Sequence, residues 1–270
     1  MNISNGSLDC LPYLDAAQSI TQQIEDITFI SVISASLSGD IAKRKSQSNE
    51  LCRAAMVSHL QLHGINCKSD CDITVEKSIW GKPNISLSET IERQVKEESI
   101  ERLLVSTTND CDILLCIAAA VQSNKIITST SLGIGVDLLC HSTSKDLFSD
   151  CSSEELSQMF FTSEIKSASK IKDPFYLPKL VSIKEAVFKS ISEAFHNIAF
   201  CSFSHDEIQT ASFLDVAIVE ITDESIATQL HGQLAEIAKA SGVQLVLVRL
   251  ISGNDYVGAV AVSMGQLLAQ

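Results

Sequence analysis

The chain has 270 residues, 45% of them hydrophobic, which is enough to pack two modest globular units. A formal net charge of −13, with no basic stripe carrying interleaved aromatics, argues against nucleic acid as a partner. No apolar run approaches the roughly 18 residues of a membrane helix, and residues 1–26 lack a basic flank followed by an apolar core, so the sequence predicts a cytoplasmic protein with no membrane partner.

In chain order, residues 1–26 read as an N-terminal tail, 27–128 as a first subdomain and 129–270 as a second. In the first, His59 and His63 stand four apart on a helix and could share a metal, but no third ligand accompanies them, and two residues make a weak motif. His141, His196, His205 and His231 form no cluster and read as structural or surface residues. The nine cysteines are an odd number and include no C-x-x-C pair, which argues against a disulfide framework. Cys116 and Cys140 lie in apolar runs and read as small hydrophobes.

Asp72-Ile-Thr-Val and Asp215-Val-Ala-Ile begin stretches that stay in step, 143 positions apart, through Ile85-Ser-Leu87 and Thr228-Gln-Leu230. Farther on, Leu103-Leu-Val-Ser, Asn109-Asp110 and the apolar run Ile113–Val121 are echoed by Val246-Leu-Val-Arg-Leu, Asn254-Asp255 and Val257–Val262. Each copy is predicted to end in a hairpin turning at Asn-Asp, residues that tolerate tight-turn geometry. The repeat predicts an α/β (α+β) chain of pseudo-twofold design, two subdomains with a ligand cleft between them.

In Gly133-Ile-Gly-Val-Asp-Leu-Leu139, strand alternation sends Ile134, Val136 and Leu138 to one face and Gly133, Gly135 and Asp137 to the other, where glycine would leave room for a bulky anion. In Ile183-Lys-Glu-Ala-Val-Phe-Lys189, helical spacing makes Glu185 and Lys189 neighbours, while Ile183, Val187, Ile191 and Phe195 form an apolar stripe. Two carboxylates from different elements suit Mg²⁺, and the lysine suits a phosphate oxygen. A capping aspartate and a solvated Glu–Lys pair are the plain alternative.

These two segments resemble the signature motifs of the 4′-phosphopantetheinyl transferases, which move the phosphopantetheine arm of coenzyme A to a serine of a carrier protein. Phe160-Phe-Thr-Ser-Glu164 is similar to that family's phenylalanine-rich segment, and Asp72 through Ile85, with its Gly81-Lys-Pro83 turn, to the larger, surfactin-synthetase-activating type. Leu104-Val-Ser-Thr-Thr-Asn-Asp110 resembles that type's Ser-His segment. The stretch from Leu132 on, including Leu230-His-Gly232, resembles the small holo-acyl-carrier-protein synthases. The resemblance runs from about Lys43 to the C-terminus and implies a duplicated transferase fold with one active site per chain, working as a monomeric pseudodimer.

It further implies Asp137 and Glu185 as ligands of Mg²⁺, Glu185 as proton acceptor and Lys189 as stabiliser of departing 3′,5′-ADP. Coenzyme A would be held by Lys43, Arg44, Arg53, Lys82, Ser106 and Thr107, Arg53 reaching a nucleotide phosphate. The chain's only tryptophan, Trp80, reads as packing rather than nucleotide stacking. An acyl or peptidyl carrier protein, typically acidic, would dock on Phe161, Ile165, Lys166, Lys170 and Lys172, with Met159 and Lys179 nearby, a local basic patch on an acidic chain. Three features depart from the family pattern: Leu139 where the larger type has a second acid, Thr107 where it has a histidine, and Ser190-Ile-Ser-Glu193 and Val181-Ser-Ile183 without the usual glycine and aromatic. They keep a second hypothesis in view: a transferase-like domain that binds coenzyme A or a carrier without transfer.

Overall fold

The computed structural model describes residues 11–21, 27–36, 41–77, 83–122, 132–144, 148–196, 211–222 and 226–265. The chain divides into two units, Met1–Ser129 with Leu267–Gln270, and Thr130–Gln266.

In the first unit, α1 (Leu11–Thr21) lies within the stretch expected to be a tail, and β1 (Ile27–Ser36) leads to the long helix α2 (Ile41–Leu62). The short α3 (Ser69–Asp72), the hairpin β2 (Ile73–Lys77) and β3 (Pro83–Leu87), α4 (Glu89–Glu97), and the hairpin β4 (Ile100–Asp110) and β5 (Ile113–Gln122) follow. Leu51, Cys52, Ala55, Met56 and Leu60 recur at helical spacing along α2, and all are buried in the core of this unit with Ile73, Ile91 and Leu114. The sheet order is β1-β5-β4, so the apolar run that reads as one strand is the central one, covered on both faces.

The second unit starts with β6 (Gly133–Cys140) and the short helices α5 (His141–Ser144) and α6 (Ser153–Ser157), then α7 (Thr162–Lys170) and the long α8 (Tyr176–His196). A 3₁₀ turn (Phe213–Asp215) precedes the hairpin β7 (Val216–Ile221) and β8 (Ile226–Leu230), α9 (Gly232–Ala240), and the hairpin β9 (Leu245–Ser252) and β10 (Tyr256–Met264). Its sheet order is β6-β10-β9, again with the most completely buried strand central. Ile183, Val187 and Ile191 pack from α8 against Val216, Leu234, Ile237 and Val248. The side chain of Phe195, expected in the same stripe, lies outside the described residues. No described helix is long and apolar enough to cross a membrane.

Both units therefore run strand, long helix, hairpin, short helix, hairpin, with the first strand antiparallel to the last. The 143-residue step recurs in fine detail. Ser88 N donates to Asp72 O and His231 N to Asp215 O, at 2.9 and 2.7 Å; α4 and α9 begin and end 143 residues apart. The turn echo shifts, however. The β4–β5 hairpin turns at Cys111-Asp112, with Cys111 at φ 50°, because β4 pairs through Asp110↔Ile113; Asn254-Asp255 thus answers Cys111-Asp112 rather than Asn109-Asp110.

Candidate active site

Helix α8 lies over the face of β6 that carries Gly135 and Asp137, and the glycine is what lets it. A Cβ at Gly135 would collide with Ala186 O and sit 2.7 Å from Ser190 N. The room beside Asp137 expected for an anion is thus filled by the backbone of α8, and the glycine serves helix-to-strand approach. Neighbouring positions of the sheet are small as well: Ala259 pairs with Asp137 and Ala261 with Gly135.

Close approach places one edge of α8 over the Asp137 carboxylate, which is buried. Ser182, Glu185 and Lys189 follow at i, i+3 and i+7, a single face of the helix. Lys189 Nζ donates to Asp137 Oδ1 at 3.0 Å and to Val136 O at 3.1 Å, and stands 3.6 Å from Glu185 Oε2. Ser182, fully buried, donates its hydroxyl to Asp137 Oδ2 at 2.9 Å. Glu185, 37% exposed at its side chain, has its carboxyl raised above the ordinary glutamate range. Burial is the main cause, Asp137 adds to it, and Lys189 opposes it. Two hard carboxylate oxygen donors on facing elements, with an ammonium between them, form a donor set of the kind that Mg²⁺ takes.

A second charged group lies one residue away. Lys184, 0% exposed, donates to Glu164 Oε2 at 2.8 Å, Met159 O at 3.1 Å and Phe213 O at 3.2 Å, with the Phe160 and Phe161 rings 5.4 and 5.3 Å from its nitrogen. Glu164 also accepts from Phe161 N and Ile218 N, both at 2.9 Å. Burial lowers the Lys184 ammonium's pKa while Glu164 works the other way. This pair ties α7, α8, the 3₁₀ turn and β7 together, and sequence reasoning did not single it out. The signal was present: Lys184 falls four residues after Leu180 and three before Val187, inside an apolar stripe where lysine is rarely buried unpaired.

The other expected residues are more dispersed. Lys43 is exposed and Arg44 half-buried near the start of α2, while Arg53 lies about 13–15 Å along the same helix at 1.5 Å per residue. Arg53 Nε donates to Ile73 O at 3.0 Å, joining α2 to β2. Ser106 and Thr107 occupy adjacent, hence opposite-facing, positions on β4. Lys82 and Trp80 lie outside the described residues.

On α7, Lys166 and Lys170 are exposed one turn apart, and Lys172 is exposed just beyond. Ile165 and Met159 pack on the cluster of Phe160, Leu180 and Val181, and the Phe161 ring lies 5.5 Å from that of His231, so the apolar part of the expected docking face is partly spent on the core. Lys179 pairs with Asp173 at 2.7 Å. His59 and His63 meet with ring centroids 5.1 Å apart; burial and then His63 push the His59 pKa down to about 3, a neutral core imidazole. Cys52, Cys67, Cys116 and Cys140 are buried and form no disulfide.

No family model matches the chain, and no curated protein matches it. Solved structures that resemble it include holo-acyl-carrier-protein synthases. The enzyme from Plasmodium yoelii is 17% identical, with a TM-score of 0.38, over 52% of this chain and 96% of that one. A Chronobacterium ammoniagenes synthase in complex with coenzyme A is 20% identical, TM-score 0.41, over 50% and 98%. The Mycobacterium tuberculosis acyl carrier protein synthase is 24% identical, TM-score 0.34, over 50% and 97%. Each match takes in about half of this chain and nearly all of the other. Likeness at this level is weak, and the chemistry rests on the side chains of β6 and α8.

Proposed function

We propose that this protein transfers the 4′-phosphopantetheine group of coenzyme A to a serine of an acyl or peptidyl carrier protein, releasing 3′,5′-ADP. The observation that carries the reading is the convergence of Asp137, Glu185 and Lys189, two carboxylates and an ammonium held within 3.6 Å of that ammonium's nitrogen. A Mg²⁺ ion held by Asp137 and Glu185 would supply positive charge beside the pyrophosphate, the usual role of a metal in phosphoryl transfer.

The chain's own groups divide the remaining work. Lys189 binds a non-bridging phosphate oxygen and offsets charge on the 5′-phosphate of the leaving 3′,5′-ADP. Glu185 accepts the proton of the serine hydroxyl as the serine oxygen bonds to phosphorus and the bond to 3′,5′-ADP breaks. Phe161, Ile165, Lys166, Lys170 and Lys172 form the face we assign to the carrier.

The test is intact-mass spectrometry of a panel of apo carrier proteins incubated with the protein, coenzyme A and Mg²⁺. A gain of one phosphopantetheine arm, lost in Asp137→Ala and Glu185→Ala, is expected. Binding of coenzyme A with no gain on any carrier would replace the transferase by a binding module.

A further inference from the structure

Three serines of α8 and the C-cap serine of α9 occupy buried or half-buried positions, and three of the four behave alike. Ser190, Ser192 and Ser241 each turn the hydroxyl back to the helix, donating to Val187 O, Phe188 O and Ile237 O at 2.8 Å. That is the default for a serine inside a helix, whose nearest acceptors are the carbonyls three and four residues earlier. Ser182, at 0% exposure, instead donates across to the Asp137 carboxylate on β6. Its partner is chosen against the local alternative, and it approaches the oxygen that Lys189 does not take.

The consequence concerns how one ammonium is shared. The terminal torsion of an aspartate is soft, so an unheld carboxylate turns freely to offer both oxygens to the nearest cation. With Oδ2 fixed by Ser182, Lys189 engages Oδ1 alone and stays 3.6 Å from Glu185. We infer that Ser182 is a positioning residue: it orients the Asp137 carboxylate and keeps Lys189 divided between the two acids, so that the pair can receive a divalent cation. The inference rests on the reading of Asp137 and Glu185 as a cation site, and groups that orient metal ligands typically alter affinity 10–100-fold.

The experiment is a titration of the full chain with Mn²⁺ alone, without coenzyme A or carrier, followed by electron paramagnetic resonance of free Mn²⁺. Ser182→Ala should bind about tenfold more weakly than the parent. Ser182→Thr, which keeps the hydroxyl, should recover most of that loss, and Ser190→Ala, which removes a buried hydroxyl bonded within α8, should bind as the parent does. Equal affinity in Ser182→Ala, or an equal loss in Ser182→Ala and Ser190→Ala, would overturn the positioning role while leaving the cation site standing. A parent chain that binds no Mn²⁺, or that binds no better than Asp137→Asn, would overturn the cation site itself. Thermal melts of each variant separate a lost site from a lost fold.

Discussion

The two units share a layout but treat buried polar groups in opposite ways. By strand register the row Asp137–Ala259–Leu250 of the second unit answers the row Ile33–Cys116–Thr107 of the first, each position of the second hairpin lying 143 residues after its counterpart. The place of the aspartate is held by an isoleucine. The first unit neutralises its buried titratable groups: His59 is held to about 3, and burial, with Cys52 beside it, pushes the Cys116 thiol well up. The second unit pairs its charges, Asp137 with Lys189 and Glu164 with Lys184. A fold repeated twice thus confers no chemistry; that comes from a few positions where one copy carries a charge and has hydrogen bonds to satisfy it.

The sharpest way to break this contrast is Lys184→Met, which keeps the length and apolar stem but leaves Glu164 buried without its cation. Loss of one partner of a buried pair costs about 3–5 kcal/mol. Equilibrium urea denaturation should register a loss of that size. A change under about 1 kcal/mol would mean that the pair is an ornament on an ordinary core, and the difference between the units would shrink to Asp137 alone.

Much of this was legible beforehand, for physical reasons that vary by residue. The Asp137 strand and the Glu185–Lys189 helix face follow from side-chain periodicity alone, because strand and helix fix which neighbours share a face. The repeat located both closing hairpins, since β5 and β10 are buried along nearly their whole length and so read as long, largely apolar runs. What periodicity does not contain is pairing between distant elements. Ser182 meets Asp137 across 45 positions and Lys184 meets Glu164 across 20, contacts set by how α8 seats on Gly135 and on the 3₁₀ turn. The misplaced first turn has the same root. Asn-Asp is a good turn pair, but register, fixed by the long β4–β5 ladder, assigned the turn to Cys111-Asp112.

The neutral side of the comparison sharpens with pH. His59 is buried neutral with a pKa of about 3, against 6.5 for the free side chain. The unfolded chain therefore binds a proton below about 6.5 that the folded chain does not. Stability from this group is complete above that value and is lost progressively as pH falls toward 3. At one unit per 1.36 kcal/mol, about 2 kcal/mol should be gone by pH 5. The urea midpoint of the parent should fall relative to that of His59→Leu between pH 7.5 and 5. A parent curve parallel to that of His59→Leu would mean that His59 takes up its proton in the folded state.

The smallest effect probes whether the echo extends to backbone strain. After α4, Glu98 N donates to Gln94 O and Ser99 N to Lys96 O; after α9, Ser241 N donates to Ile237 O and Gly242 N to Lys239 O. Both helices close with a residue in the left-handed region, Ser99 at φ 58° and Gly242 at φ 71°. Glycine occupies that conformation without penalty, whereas a residue with a Cβ is strained there by about 1–2 kcal/mol. Ser99→Gly should relieve that strain and give back part of it as unfolded-state freedom, leaving a gain of about 0.5 kcal/mol. Gly242→Ser should lose a similar amount, since the serine would meet in the second unit the strain it already carries in the first. Opposite shifts of the thermal midpoint, each of a few degrees or less, would show two copies of one helix stop differing by a single side chain; shifts of the same sign would show that the stops are held by their surroundings instead.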